Sequence, residues 1–515
     1  MRIIDAFDRG ADTYPHRSCL IDRDIDLTYR EVQATSHAIA LALRDMGFAP
    51  GTKAALFSPN SARSLECLLG MLRAGFVWIP LNARAAPPEL IHVINLTECE
   101  IVLYDAEFES AVEGLKASCA GVRSFLCIKD PSDSFGTQLS PYHGHLYPEL
   151  TEDPEGLIAI FTSGGTTGLP KGVVWPPRIF ETMLANFWAA LPKRSPPVHL
   201  AAAPLTHAAG AIALMLFAEG ATQVILPAAD PLSVMQAIDR HRVTHVFLPP
   251  TVIYMMIAHA EVHNFDYSSL DYFIYSAAPM SVDKLREALA IFGPVMVQMF
   301  GQVEAPMCCT VLTAEDHRLA LADERLSHRL ASCGRPMLLT RVEIMDEAGA
   351  LLERGERGEI VLKGNLVTPG YYKNAEATDA AKSGGWHRTG DVGYRDSDGY
   401  LYIVDRTKDM IITGGFNVYP SEIEQVIWAH EAVQDCAVIG VPDEKWGEAV
   451  KAVIELKSGK SASEAEIIAL CKARLGSVKT PKTVEFWESM PRTPVGKVRK
   501  ADIRETFWSG GDRRI

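Results

Sequence analysis

Chemistry concentrates in the segment Phe161 to Val174, which reads FTSGGTTGLPKGVV and follows the apolar run LIAIF. A strand that opens into a glycine-rich loop ending on a lysine is a layout for holding phosphate. The glycines let backbone N–H groups approach the anion, the hydroxyls of Thr166 and Thr167 donate, and Lys171 supplies charge. A nucleoside-triphosphatase P-loop needs Gly-Lys-Ser/Thr to close its pattern. Here Leu169 and Pro170 separate Gly168 from Lys171, so that assignment fails. A plain surface loop is the bland alternative, and the length of the pattern weighs against it.

Further strings follow in order: PLTHAAG at Pro204, YSAAPM at Tyr275, FGQVE at Phe300, GRP at Gly334, GERGEI at Gly355, WHRTGD at Trp386, DRTKDMI at Asp405, GGFNVYPSEIE at Gly414 and RTPVGKVRK at Arg492. Any one of them is weak. Together, and over nearly the whole chain, they resemble the adenylate-forming superfamily, which includes acyl-CoA synthetases, aryl-CoA ligases, firefly luciferase and peptide-synthetase adenylation domains. The resemblance implies an ATP-dependent acid:thiol ligase that makes an acyl-adenylate and passes the acyl group to coenzyme A, releasing AMP and pyrophosphate.

The resemblance also distributes roles. Thr162, Ser163, Gly164, Gly165, Thr166, Thr167, Gly168 and Lys171 would hold the ATP phosphates. Asp391 would accept from both ribose hydroxyls, a task suited to two carboxylate oxygens, with Arg406 beside it. Ala277, Ala278 and Pro279 would flank the adenine. In FGQVE, Phe300 would lie beside the adenine, Gly301 and Gln302 would complete the nucleotide site, and Glu304 would bind Mg²⁺ together with Thr167. The family usually has Tyr-Gly-x-Thr-Glu here, so Phe300 lacks a hydroxyl and Val303 replaces a phosphate-contacting threonine. Thr166, Thr167 or a water is expected to compensate. His207 would sit at the mouth of the acyl pocket. Lys497 would bridge substrate carboxylate and α-phosphate during adenylation.

The second half-reaction needs the thiol where Lys497 would otherwise stand, and the family solves this by rotating its C-terminal domain about a hinge that Lys408 matches. Gly414, Gly415 and Phe416 would then face the pantetheine tunnel. The WGE string at Trp446 resembles CoA-using members. Lys479 and Lys482 are candidate contacts for CoA phosphates, with a solvated charged face as the alternative.

The elements that must position these residues are legible from pattern. From Leu27 to about Val295, short apolar runs such as KAALF, EIVLYD, THVFLP and YFIYSA alternate with helical stretches, which implies parallel sheets covered on both faces. Leu65, Leu68, Leu69 and Leu72 form one helical face ahead of Gly75. After about Arg335 the texture changes to hairpins, with Asp398-Gly399 as a turn. A helix opened by Pro420 and another carrying a Ser463/Glu466 capping box belong to a last α+β piece. The expected fold is α/β: a large N-terminal domain of layered α/β subdomains plus a small β unit, 1–405, a hinge, 406–408, and a small mobile α+β C-terminal domain with the catalytic lysine, 409–515.

Composition bounds the rest. The chain has 515 residues, a net charge of -14 without long runs of one sign, 48% hydrophobic and 22% charged residues, which suits a multidomain soluble enzyme and argues against a nucleic-acid groove. The start MRIIDAFDRG lacks the apolar stretch of a signal peptide. The run Ala208 to Ala218 is too short to span a bilayer and reads as a buried helix. Ten scattered cysteines suit neither a disulfide framework nor a zinc site, which points to the cytoplasm. The PLTHAAGAIALMLF stretch has no acid before Glu219 to pair a substrate ammonium and no arginine for a second carboxylate. A fatty or aromatic acid is therefore the expected substrate. Expected partners are that acid, ATP and CoA, with Mg²⁺ as cofactor and homodimer assembly left open. An acyl-AMP ligase loading a carrier protein, and a catalytically weak acyl-adenylate-binding protein, remain alternative readings.

Overall fold

A computed structural model of the chain describes residues 1–129, 132–151, 153–163, 170–406, 409–414, 416–443, 445–493 and 498–508. Its strands form four sheets. The six-stranded sheet runs in the order Ser124–Lys129, Ile101–Asp105, Lys53–Phe57, Val77–Pro80, Ala159–Thr162, Gly172–Trp175, parallel except for its last pair. The nine-stranded sheet has a parallel centre, in which Tyr272–Tyr275 lies between His245–Leu248 and Met296–Gln302. The apolar runs of the sequence supply these strands, and their burial on both faces explains the lack of strict alternation. One core joins the two sheets, with Trp78 and Phe161 from the first and Ala201, Ile274 and Phe300 from the second.

The helix Ala62–Arg73 buries Leu65, Leu68, Leu69 and Leu72 and begins at Ser61, whose hydroxyl accepts from Ser64 N. The chain then reverses at Gly75, whose φ of +74° suits a residue without Cβ. The run Ala208–Phe217 is a buried helix. No described helix is long and apolar enough to cross a membrane.

The hairpin-rich stretch forms a five-stranded antiparallel sheet, with Trp386–Arg395 and Leu401–Arg406 paired around Gly399 at φ +84°. Another five-stranded sheet, containing Val433–Asp443 and Gly447–Leu456, packs its own core of Ile411, Ile423, Ile427, Val438, Ile454 and Ile467. Pro420 opens the helix Pro420–Trp428, and Ser463 and Glu466 form the capping box at the head of Glu464–Lys479. The mixed α/β class and the order of large and small parts agree with the pattern reading. All ten cysteines are free, and nine are buried, Cys127 being half-buried.

Candidate active site

Site residues gather where parallel strands end, the place at which α/β sheets bind ligands. Ala159–Thr162 leads into the glycine-rich loop, Val198–Ala201 into His207, Tyr272–Tyr275 into Ala277, and Met296–Gln302 into Glu304. Gly164, Gly165, Thr166, Thr167 and Gly168 lie outside the described residues, as do Lys408, Gly415 and Lys497. The stem of the loop is closed: Ser163 N donates to Lys171 O at 2.9 Å and Lys171 N to Ser163 Oγ at 3.3 Å. Thr162 pairs with Gly172 across the same ladder.

The hairpin of Met296–Gln302 with Ala305–Leu312 turns at Val303 and Glu304. Gly301 has no alternative there, because a Cβ would lie 2.2 Å from Met307 N. The turn projects Gln302, whose Nε2 donates to Thr389 O at 2.8 Å and to Asp391 Oδ2 at 2.7 Å. Asp391 and Arg406 are register partners, and Arg406 Nε stands 3.1 Å from Asp391 Oδ1. FGQVE, WHRTGD and DRTKDMI therefore meet on one carboxylate, which is only 5% exposed. Phe300, in the first strand of this hairpin, is buried.

Glu304 is buried, and its Oε1 accepts from Tyr371 Oη at 2.8 Å. Its carbonyl accepts from Thr368 N at 2.8 Å, and the Val303 carbonyl from Trp175 Nε1 at 2.9 Å. The Val303 side chain packs against the main core. Tyr371, Thr368 and Trp175 were missed by the motif reading. The one signal available was a tyrosine pair directly after Pro369-Gly370.

His207 caps the helix Ala208–Phe217, and its Nδ1 lies 3.0 Å from Thr206 Oγ1. Burial pushes its imidazole down to about 4, so it is neutral at physiological pH. Asn60 pins the preceding segment by donating to Ala203 O at 2.9 Å and accepting from Leu205 N at 2.9 Å. Ala277 holds φ +75°, a strained conformation for a residue with a Cβ. Ala278 is half-buried, and Pro279 is exposed.

In the last sheet, Gly414 has φ +57° and donates its N–H to Trp446 O at 2.8 Å, and a Cβ on it would lie 2.6 Å from Trp446 Cε3. Phe416 is 60% exposed. Lys479 is ion-paired with Glu422, which also pairs with Arg357 at 3.1 Å, while Lys482 Nζ donates to Ser477 O at 3.1 Å. Beside the Arg406–Lys408 break, Asp405 Oδ2 accepts from Ser421 N at 2.9 Å, Arg504 pairs with Asp409 at 2.8 Å, and Lys500 with Glu424 at 2.7 Å.

Comparison with known proteins follows the same outline. A family model described as AMP-binding enzyme matches residues 7–372, and one described as AMP-binding enzyme C-terminal domain matches 422–497. The chain is 41% identical over 369 residues to medium/long-chain-fatty-acid–CoA ligase FadD8 of Mycobacterium tuberculosis, an alignment covering 70% of this chain and 63% of that protein. It is 33% identical to feruloyl-CoA synthase of Amycolatopsis sp, over 97% of this chain and 98% of that one. Among solved structures, the amide bond synthetase McbA from Marinactinospora thermotolerans superposes with a TM-score of 0.88 at 30% identity, covering 98% of this chain and 100% of that one.

Proposed function

The chain belongs to the AMP-binding enzymes, and from that premise we propose how its residues divide the work. It is an acyl-CoA synthetase, an acid–thiol ligase that draws on ATP and CoA. A carboxylate cannot expel oxide, so its oxygen attacks the α-phosphate of ATP and pyrophosphate leaves. The CoA sulfur then attacks the carbonyl of the mixed anhydride, the C–S bond forms, and AMP departs with the electron pair of the broken C–O bond.

In this reading Asp391 receives the ribose hydroxyls with Arg406 beside it, Phe300 and the Ala277 to Pro279 turn flank adenine, and Thr162 to Lys171 cradle the phosphates. The observation that carries it is the convergence of Gln302, Thr389 and Arg406 around Asp391, which holds a buried carboxylate in one orientation. Neutral His207 suits an acyl pocket, since a cation there would compete with the α-phosphate for the substrate carboxylate.

Glu304 fits a magnesium site of one carboxylate. Tyr371 holds one of its oxygens. Among the described residues no group of three His, Cys, Asp or Glu is arranged to bind a metal. Phosphate oxygens, water and Thr167 would complete the shell, which suits an ion that keeps its waters. When bound, the ion would offset charge on the leaving pyrophosphate.

Lys497 is assigned to the adenylation step, Lys408 to the hinge, and 1–405 and 409–515 to the two domains it joins. The contacts that cross the break, Arg357 with Glu422 and Ser421 N with Asp405 Oδ2, run through side chains, which supports a pivot whose contacts can be remade. Gly414, Gly415, Phe416 and Trp446 are assigned to the pantetheine side, supported by the exposed Phe416 ring. Lys482 remains the candidate for a CoA phosphate, whereas Lys479 would first have to leave Glu422. Ten free cysteines fit the cytoplasm. The acid is a sizeable apolar one, fatty or aromatic, as the uncharged helix behind His207 and the names of the two CoA-ligase relatives suggest.

The test is a mass-spectrometric assay of a panel of acids with ATP, with and without CoA. Acyl-CoA from fatty or aryl acids, and none from amino acids or dicarboxylates, is expected. Adenylate without thioester in the presence of CoA would overturn the acceptor.

A further inference from the structure

The segment Thr368 to Tyr372 belongs to none of the motifs that define the site, yet it ties two of them together. It runs alongside Gly172–Trp175, the strand that leaves the phosphate loop: Val174 N donates to Gly370 O at 3.1 Å and Tyr372 N to Gly172 O at 2.7 Å. Thr368 Oγ1 donates to Val174 O at 2.6 Å, and Thr368 N to Glu304 O at 2.8 Å. The far end is anchored by Tyr371 N on Thr378 Oγ1 at 2.9 Å and by Tyr372 Oη on Glu98 Oε2 at 2.9 Å. The side chain between these anchors has little freedom.

That side chain is Tyr371. Its hydroxyl donates to Glu304 Oε1 at 2.8 Å, and Lys171 Nζ stands 5.1 Å from the centre of its ring. We propose that Tyr371 is a positioning residue for the adenylation step, aiming the Glu304 carboxylate at the metal and holding the Lys171 ammonium at the phosphates. The proposal rests on the reading of Glu304 as the magnesium ligand and of Lys171 as a phosphate ligand.

The two contacts act differently. A hydrogen bond on Oε1 fixes the rotation of the carboxylate and leaves Oε2 to face an ion. The ring offers Lys171 a negative face in place of solvent, which limits the rotamers of an exposed side chain before ATP arrives.

The experiment uses the full chain and separates the contacts by calorimetric ATP affinity, measured with Mg²⁺ and again with EDTA, alongside the Mg²⁺ dependence of pyrophosphate release. Tyr371→Phe keeps the ring and loses the hydroxyl. It should cut the gain in ATP affinity that Mg²⁺ provides by about fivefold to tenfold, the scale of one hydrogen bond to a charged group, and leave the affinity in EDTA unchanged. Tyr371→Leu should in addition weaken binding in EDTA by about twofold to fivefold. Glu304→Gln is the control: if it leaves the Mg²⁺ gain intact, the reading of Glu304 itself falls. If Glu304→Gln loses that gain while Tyr371→Phe keeps it, the role of Tyr371 is overturned and the reading of Glu304 stands.

Discussion

Around Asp391 and Glu304 the side chains of Gln302, Arg406 and Tyr371 meet the carboxylates inside a frame of main-chain bonds. Thr389 O, Val303 O and Glu304 O all serve as acceptors, so the geometry cannot change unless the strands do. Beyond Asp409 charge meets charge instead. Lys500 pairs with Glu424, Arg504 with Asp409, Lys451 with Glu485, and Arg492 spans Asp435 and Glu455 at 2.7 and 3.1 Å. These pairs are largely buried, Glu424 being only 4% exposed, so removing one partner would strand a charge at a cost of about 3 to 5 kcal/mol. The difference separates two ways of fixing a region: one is set by the strands that carry it, and the other, with a core of its own, is braced internally by charge.

Lesions in the two regions should then differ in kind, and the largest effect tests this. Lys497→Ala should slow pyrophosphate release by about a hundredfold or more, the loss of a charge at the transferring phosphate, while thioester formation from supplied acyl-AMP stays close to wild type. Equal losses in both half-reactions would erase the contrast. Asp391→Ala comes next. Stripping Gln302 and Arg406 of their shared acceptor should weaken ATP binding by about tenfold to a hundredfold in calorimetry, and an unchanged affinity would remove Asp391 from the site.

A third test concerns the charged region. Burial raises the Glu424 carboxyl from an ordinary 4.5 to about 7, against the pull of Lys500. Between those values the folded protein binds the proton more than the unfolded chain does. This group's contribution therefore makes stability fall as pH rises from 4.5 to 7 and level off above. Glu424→Gln should flatten that slope, read as the urea midpoint against pH, and a slope identical to wild type would show that Glu424 does not set it. The smallest effect is Val303→Thr, expected to lower the KM for ATP by about fivefold at most, the worth of one neutral hydrogen bond. No change would mean that another group already fills that contact.

How much of this was legible depends on how far each signal reaches. The turn at Gly399, the cap at Ser463 and the helix over Leu65 to Leu72 follow from neighbours within a few residues, and they stand where the pattern put them. The gathering of Gln302, Asp391 and Arg406 was readable through motif order, though not the hydrogen bond that joins them. Tyr371 was invisible because its partners lie 67 and 200 positions away. Gly414 and Trp446 were both read from their motifs, but not the contact that the missing Cβ of Gly414 makes room for. Another buried arrangement left a trace that went unused. His199, Gln223 and His245 interrupt the apolar strands VHLA, TQVI and HVFL, and they lie in register with one another, each with a side-chain nitrogen that has no partner among the described residues. Single polar letters in buried strands were the available sign.

The state of the sulfur atoms bears on a hazard peculiar to this chemistry. An acyl-adenylate is an acylating reagent made inside the protein, and any thiolate within reach could consume it before CoA arrives. Cys308 and Cys309 lie in the strand Ala305–Leu312, which follows Glu304. Burial pushes Cys308 and Cys333 up to about 12 and holds Cys309 well above its ordinary value. Held as thiols and shut from solvent, they are poor nucleophiles. Burial thereby keeps these sulfurs from competing with CoA for an acyl-adenylate.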